Sequence, residues 1–254
     1  MIVPACIRSE YLQSPANSIG LRLVLPGLVL GLGLILAGAS EAQVLISADL
    51  TTDYQYRAVS LSDGRAALSL NLAYDHSSGL YASASAIGED TTKSGLRMLG
   101  YVETLGLARR IGSRLSWDVG LRRMDITQYG FYTYKLHDTQ LYAGLRGRHL
   151  SGYLAYAPNY YGSGISTLYA DVTGDVPLTR RLRLFGHAGA LTPLSGQGGP
   201  GSYQEAYDLR AGVAAHIQHL EVQLAWSRAL PVQGSLAGYS YPHHALTLTT
   251  SVSF

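Results

Sequence analysis

Past residue 43 the chain alternates. Leu68, Leu70, Leu72 and Tyr74 stand against Ser69, Asn71, Ala73 and Asp75. Leu115, Trp117, Val119 and Leu121 stand against Ser116, Asp118, Gly120 and Arg122. The same scheme returns in Leu141–Leu145, Leu168–Val172, Tyr207–Val213, Leu220–Trp226 and the closing Leu246–Phe254. A period of two is that of a strand with two unlike faces, and no comparable helical period is present. The pattern predicts strands near 44–57, 65–75, 79–88, 97–109, 114–125, 136–148, 150–159, 165–176, 181–192, 205–217, 219–229 and 244–254.

The connections follow a second rhythm. Residues 75–79, 109–114, 146–152, 177–181 and 216–220 are tight turns. The intervening connections are longer, such as 125–136, 192–203 and 229–243, with 159–164 the short exception. About twelve strands, each near the ~9–11 residues that cross a bilayer at a tilt, with short turns at one rim and long loops at the other, predict a fold class. It is all-β: an antiparallel up-and-down transmembrane β-barrel without a plug domain. A soluble β-sandwich also alternates, but it would carry a charged outer face. Here the non-oily face is Gly, Ala, Ser, Thr and Tyr with scattered Asp and Arg. Beyond the leader the lysines are Lys93 and Lys135, both in or beside predicted loops.

Composition sharpens this picture. Tyr outnumbers Phe by 19 to 3 and Gly reaches 29, a mixture that suits strands, turns and interfacial rings. One stretch approaches membrane-helix length, 23–39, behind Arg8 and Arg22 and before Ser40-Glu41-Ala42. That is the layout of a cleaved secretory signal peptide, so residues 1–42 are expected to be a leader and 43–254 the barrel. The single cysteine, Cys6, would leave with it. A net charge of +2 without basic runs excludes nucleic acid as a natural partner.

The stretch 50–86 resembles the opening of the TorF-type porins. Asp53, Tyr54, Tyr56, Arg57, Ser60, Ser62 and Asp63 match one segment of that family, and Tyr74, His76, Ser78, Gly79 and Tyr81 match its following hairpin. Residues 117–120, 141–147, 156–162 and 167–172 look like its internal strands. Ala58 stands where the family favours Gly, which bears on the local turn. The resemblance implies a passive outer-membrane channel.

Candidate pore-lining residues follow from parity: Asp49, Asp53, Arg57, Asp118, Arg122, Arg146, Asp171, Arg183, Asp208, Arg210 and Glu221. Charges away from water are costly unless paired. The mixture therefore implies either a wet, narrow lumen passing small polar solutes, or a laddered ionic network in a packed lumen with a structural role. An outer-membrane enzyme is the remaining alternative, with His76, Ser77 and Ser78 as its only temptation. His216/His219 and His243/His244 fall at opposite rims and cannot share an ion, and 196–201 is no phosphate cradle, since neither Lys nor helix follows. No catalytic residue, cofactor or metal site is expected. Tyr129, Phe131, Tyr132, Tyr134, Tyr160, Tyr161, Tyr239 and Tyr241 read as an interfacial girdle, with a solute-stacking platform as the other reading. The expected partners are the lipid bilayer, lipopolysaccharide and small polar solutes. Phe254, at the end of the last strand, resembles the signal read by the barrel-assembly machinery.

Overall fold

The computed structural model describes residues 42–91, 95–128, 134–195, 205–230 and 244–254. Twelve long strands form one closed antiparallel barrel: β1 (Ala42–Thr51), β4 (Ala67–His76), β5 (Leu80–Thr91), β6 (Gly95–Ile111), β7 (Leu115–Gln128), β8 (Tyr134–Arg146), β9 (Leu150–Ala157), β10 (Thr167–Pro177), β11 (Leu182–Pro193), β12 (Ala206–Ile217), β13 (Leu220–Leu230) and β14 (His244–Ser253). Two short strands, β2 (Gln55–Tyr56) and β3 (Val59–Ser60), form a separate hairpin. The segment 1–41, on which the leader expectation rests, lies outside the described residues.

Closure is made by β1 and β14, from Ser47 opposite Ser253 to Thr51 opposite Thr249. The Phe254 N–H donates to the Ile46 carbonyl at 2.9 Å, extending the seam by one bond. With the seam shut, every long strand has two neighbours and no edge is left unpaired. The apolar parity faces outward. Ile46, Leu70, Leu105, Leu141, Leu224 and Leu246 are exposed, while Ser69, Asn71, Gln140, Gln223 and Thr249 are buried inside. So continuous an apolar surface far exceeds what soluble monomers expose, and lipid is the solvent it suits.

Glycine and tyrosine set the wall's inner geometry together. The Tyr81 ring on β5 lies across Gly106 on β6, Tyr142 on β8 across Gly120 on β7, and Tyr153 on β9 across Gly144 on β8. Tyr169 on β10 covers Gly189 and Phe185 on β11 covers Gly212. A β-carbon at Gly212 would come within 2.6 Å of the Phe185 ring. The rings lie flat along the wall because the glycines leave room, which keeps the lumen from filling.

Three expectations need correction. The first strand does not run to residue 57: β1 ends at Thr51, and residues 52–66 fold back into the barrel. Tyr54, Tyr56 and Leu61 are buried there, so the lumen is not unobstructed, although the described residues include no separate plug domain. Second, the polarity of the wall inverts at the long-loop ends of β6–β8. Val102, Met124, Ile126 and Leu136 point inward and pack with Leu61 and Tyr54 in an apolar cluster. A bulge opposite Ile87 and Gly88 turns the fully buried Leu99 into the same cluster. On the outside at this height stand Glu103 and Arg123, and Arg123 donates to Asp125 at 2.9 Å, with His137 and Tyr101 as further partners of that carboxylate. These strands are 17, 14 and 13 residues long, beyond what a bilayer crossing requires, and their ends are patterned like a soluble sheet. Third, Tyr160 and Tyr161 are no part of an outer girdle; both are buried within the barrel. Tyr129, Phe131, Tyr132, Tyr239 and Tyr241 lie outside the described residues.

Candidate functional site

The inward segment 52–66 builds the site. At the tip of the β2–β3 hairpin, Tyr56 pairs with Val59 across a two-residue turn, Arg57-Ala58, with φ of 49° and 57°. Such a turn requires positive φ at both central positions, which glycine adopts freely and alanine does not. That is the physical reason a family with this motif would favour Gly at position 58. The hairpin is held by its own polar groups. Asp53 accepts from the Ser60 hydroxyl at 2.5 Å, from Ser62 at 3.1 Å and from the Gln55 amide at 2.7 Å. Ser62 Oγ accepts from the Tyr54 N–H at 2.8 Å, and the Leu61 N–H donates to the Tyr54 carbonyl at 2.8 Å. Residues 53–57, which the alternation placed in the first strand, and residues 58–64, placed in the connection after it, form one self-bonded loop.

Anchors fix the loop to the wall. Arg65 reaches Glu89 on β5, and Ser227 on β13 donates to Gln55 at 2.5 Å. At the tip the Arg57 guanidinium carbon stands 3.7 Å from the Tyr169 ring centre, 4.7 Å from Tyr56 and 5.6 Å from Tyr160. It also donates to Gln140 Oε1 at 3.3 Å and to the Tyr160 hydroxyl at 3.4 Å. Each such ring contact contributes roughly 0.5–2 kcal/mol, more as water is excluded. Burial pushes the phenols of Tyr56, Tyr160 and Tyr161 above their ordinary range, so the cage offers neutral ring faces.

The loop leaves a cavity of about 160 Å³, space for on the order of ten waters. Of the residues predicted from parity, Asp49, Asp53, Arg57, Arg122, Asp171, Asp208 and Arg210 line it. Asp118, Arg146, Arg183 and Glu221 do not. Asp118 is a clamp, accepting from Tyr81 at 2.6 Å and Tyr153 at 3.0 Å. Glu221 accepts from Arg183 at 3.0 Å and from Gln223 at 2.8 Å. Arg146 is half-buried at the turn end of β8.

The cavity has two unlike walls. Asp49, Thr51, Ser69, Thr247, Thr249 and Ser251 give a hydroxyl and carboxylate side, where Asn71 donates to Asp49 at 2.8 Å. Opposite are rings and guanidinium groups: Arg122 lies 5.6 Å from the Tyr142 ring centre and Arg210 lies 5.3 Å from that of Phe185. Between them His187 Nε2 meets Asp208 at 2.9 Å, its Nδ1 meets Thr173 at 2.9 Å, and the Tyr169 hydroxyl donates to Asp208 at 2.9 Å. Parity could have found His187, Tyr142, Tyr153 and Tyr169, but a reading confined to charge passed over them.

Among the described residues no group of three or more His, Cys, Asp or Glu could hold a metal. His216 lies 4.0 Å from Glu221 at the short-turn rim, and His244 opens β14 at the other, while His243 lies outside the described residues. The His76–Ser78 contact, 2.8 Å, closes the β4–β5 turn.

A closed twelve-stranded barrel, apolar outside and ionic within, defines the class: a membrane β-barrel of porin architecture. The fold is similar to that of the NanC porin, with TM-score 0.52 and 10% identity over 84% of this chain and 99% of that one. It is similar also to the KdgM porin, with TM-score 0.51 and 9% identity over 83% and 99%. Residues 37–230 match the family described as "Bacterial protein of unknown function (Gcw_chp)", and the chain belongs to that family. No curated protein matches the sequence.

Proposed function

We propose that the protein is an outer-membrane channel of the TorF type, passing small polar solutes by passive diffusion through a narrow lumen of mixed charge. One observation carries the reading. The tyrosine rings lie flat on facing glycines, and an ionic cavity bordered by Asp49, Arg122, Asp171, Asp208 and Arg210 persists beside the inward loop. A barrel serving only as a scaffold would fill that space, as small barrels do. Twelve strands further reduced by a folded-in loop support a small solute cutoff, and opposed carboxylates and guanidinium groups support weak ion selectivity.

The apolar exterior supports residence in a bilayer, with lipopolysaccharide meeting the polar ends of β6–β8 at the long-loop rim. Phe254, exposed on the outward parity of β14, supports delivery by the barrel-assembly machinery. The reading is non-enzymatic and needs no cofactor. Planar-bilayer recording of the purified, refolded protein tests it: discrete current steps are expected, and a folded, inserted barrel without steps would overturn the channel.

A further inference from the structure

The environment of Arg57 resembles a bound ligand more than a structural ion pair. Its guanidinium is enclosed by Tyr56, its neighbour in the hairpin, and by Tyr160 from the β9–β10 connection and Tyr169 from β10, which lie more than a hundred residues along the chain. Tyr161 packs behind two of these rings, its centre 4.3 Å from that of Tyr160 and edge-on to Tyr56 at 6.4 Å. The two hydrogen bonds to the guanidinium are long, 3.3 and 3.4 Å, and its Nε finds no acceptor among the described residues. Ring faces make the close contacts with this cation, and the buried Asp138 carboxylate acts on it electrostatically without a direct ion pair among the described residues. They would hold any flat, weakly hydrated cation of the same size. The tip that delivers it is strained, with two non-glycine residues at positive φ.

We propose that the tyrosine cage is a cation-binding site for guanidinium-type solutes, occupied here by Arg57 as a tethered ligand that latches the hairpin across the lumen. The latch rests on the channel reading; the cage itself does not. The test uses the full barrel carrying Arg57→Ala, titrated with guanidinium chloride against sodium chloride at matched ionic strength and followed by calorimetry. Saturable guanidinium binding is expected in Arg57→Ala, at least about tenfold weaker in Arg57→Ala/Tyr169→Leu and absent in the parent, whose cage is filled. Equal behaviour of Arg57→Ala and the parent would overturn the site. Should Arg57→Ala fold poorly, millimolar guanidinium restores its heat-modifiable band and sodium does not; failure of that rescue also overturns it. In planar bilayers Arg57→Ala passes more current than the parent and guanidinium lowers it. Equal, guanidinium-insensitive currents would remove the latch. Binding without current in any version would support the cage while sinking the channel.

Discussion

Arg65 on the inward loop meets both carboxylate oxygens of Glu89 on β5, at 3.2 and 3.1 Å, and Glu89 is fully buried. This is the charged tie between the loop and the wall at its returning end, while Asp53 organises the outgoing end. Removing one partner of a buried pair costs roughly 3–5 kcal/mol, an upper bound here because Arg65 keeps 28% of its side chain in water. In Glu89→Ala the loop should therefore detach more often. Limited trypsin digestion in detergent should cut after Arg57 or Arg65 at least about tenfold faster than in the parent, from a loss of about 1.4 kcal/mol or more. Unchanged cleavage would show that the apolar cluster around Leu61 alone holds the loop.

The turn at Arg57-Ala58 should improve with glycine. Relieving a positive φ at one non-glycine residue is worth roughly 1 kcal/mol. Ala58→Gly should raise the midpoint of urea unfolding accordingly. A lower midpoint would mean that the added freedom of the unfolded chain outweighs the strain.

Gly120 has no such latitude. A β-carbon there would sit 2.6 Å from the Leu105 carbonyl oxygen and overlap the Tyr142 hydroxyl, and the backbone atom cannot step aside. Gly120→Ala should cost roughly 1–3 kcal/mol by overpacking and lower the temperature at which the folded band is lost on gels. Gly186→Ala, whose nearest neighbour would be 3.9 Å away, serves as the control and should change little.

The inversion on β7 makes a paired prediction about lipid. Leu224 faces outward on β13 between Val213 and Leu248, so Leu224→Arg should cost up to about 2–4 kcal/mol of folding into vesicles, least if it lies near an interface. Arg123 has the outward parity of Leu121 but stands above the apolar belt, half-exposed beside Asp125. Arg123→Leu should therefore gain nothing from lipid and lose roughly 1–3 kcal/mol with its bond to the buried Asp125, which keeps His137 and Tyr101 as partners. A gain in insertion for Arg123→Leu would mean that lipid reaches position 123 and that the membrane boundary does not fall between residues 121 and 123.

The alternation of residues such as Leu68–Asp75 and Leu115–Arg122 determined the barrel by itself. A period of two with an oily parity and a small polar parity admits few closed solutions, and turn lengths give the connectivity. The tertiary structure decided the fate of residues 52–66. As a string, Asp53-Tyr54-Gln55-Tyr56-Arg57 alternates like a strand, and only the Ser60 and Ser62 hydroxyls returning to Asp53 show that it folds on itself. The apolar inner cluster had the same origin: Met124 and Ile126 keep the strand period but change which side is oily, because the loop supplies an internal apolar partner and water replaces lipid outside. Parity is a local property of the backbone, readable from the chain. What each face meets is decided by segments distant in sequence, and that assignment exists only once the barrel has closed around its own loop.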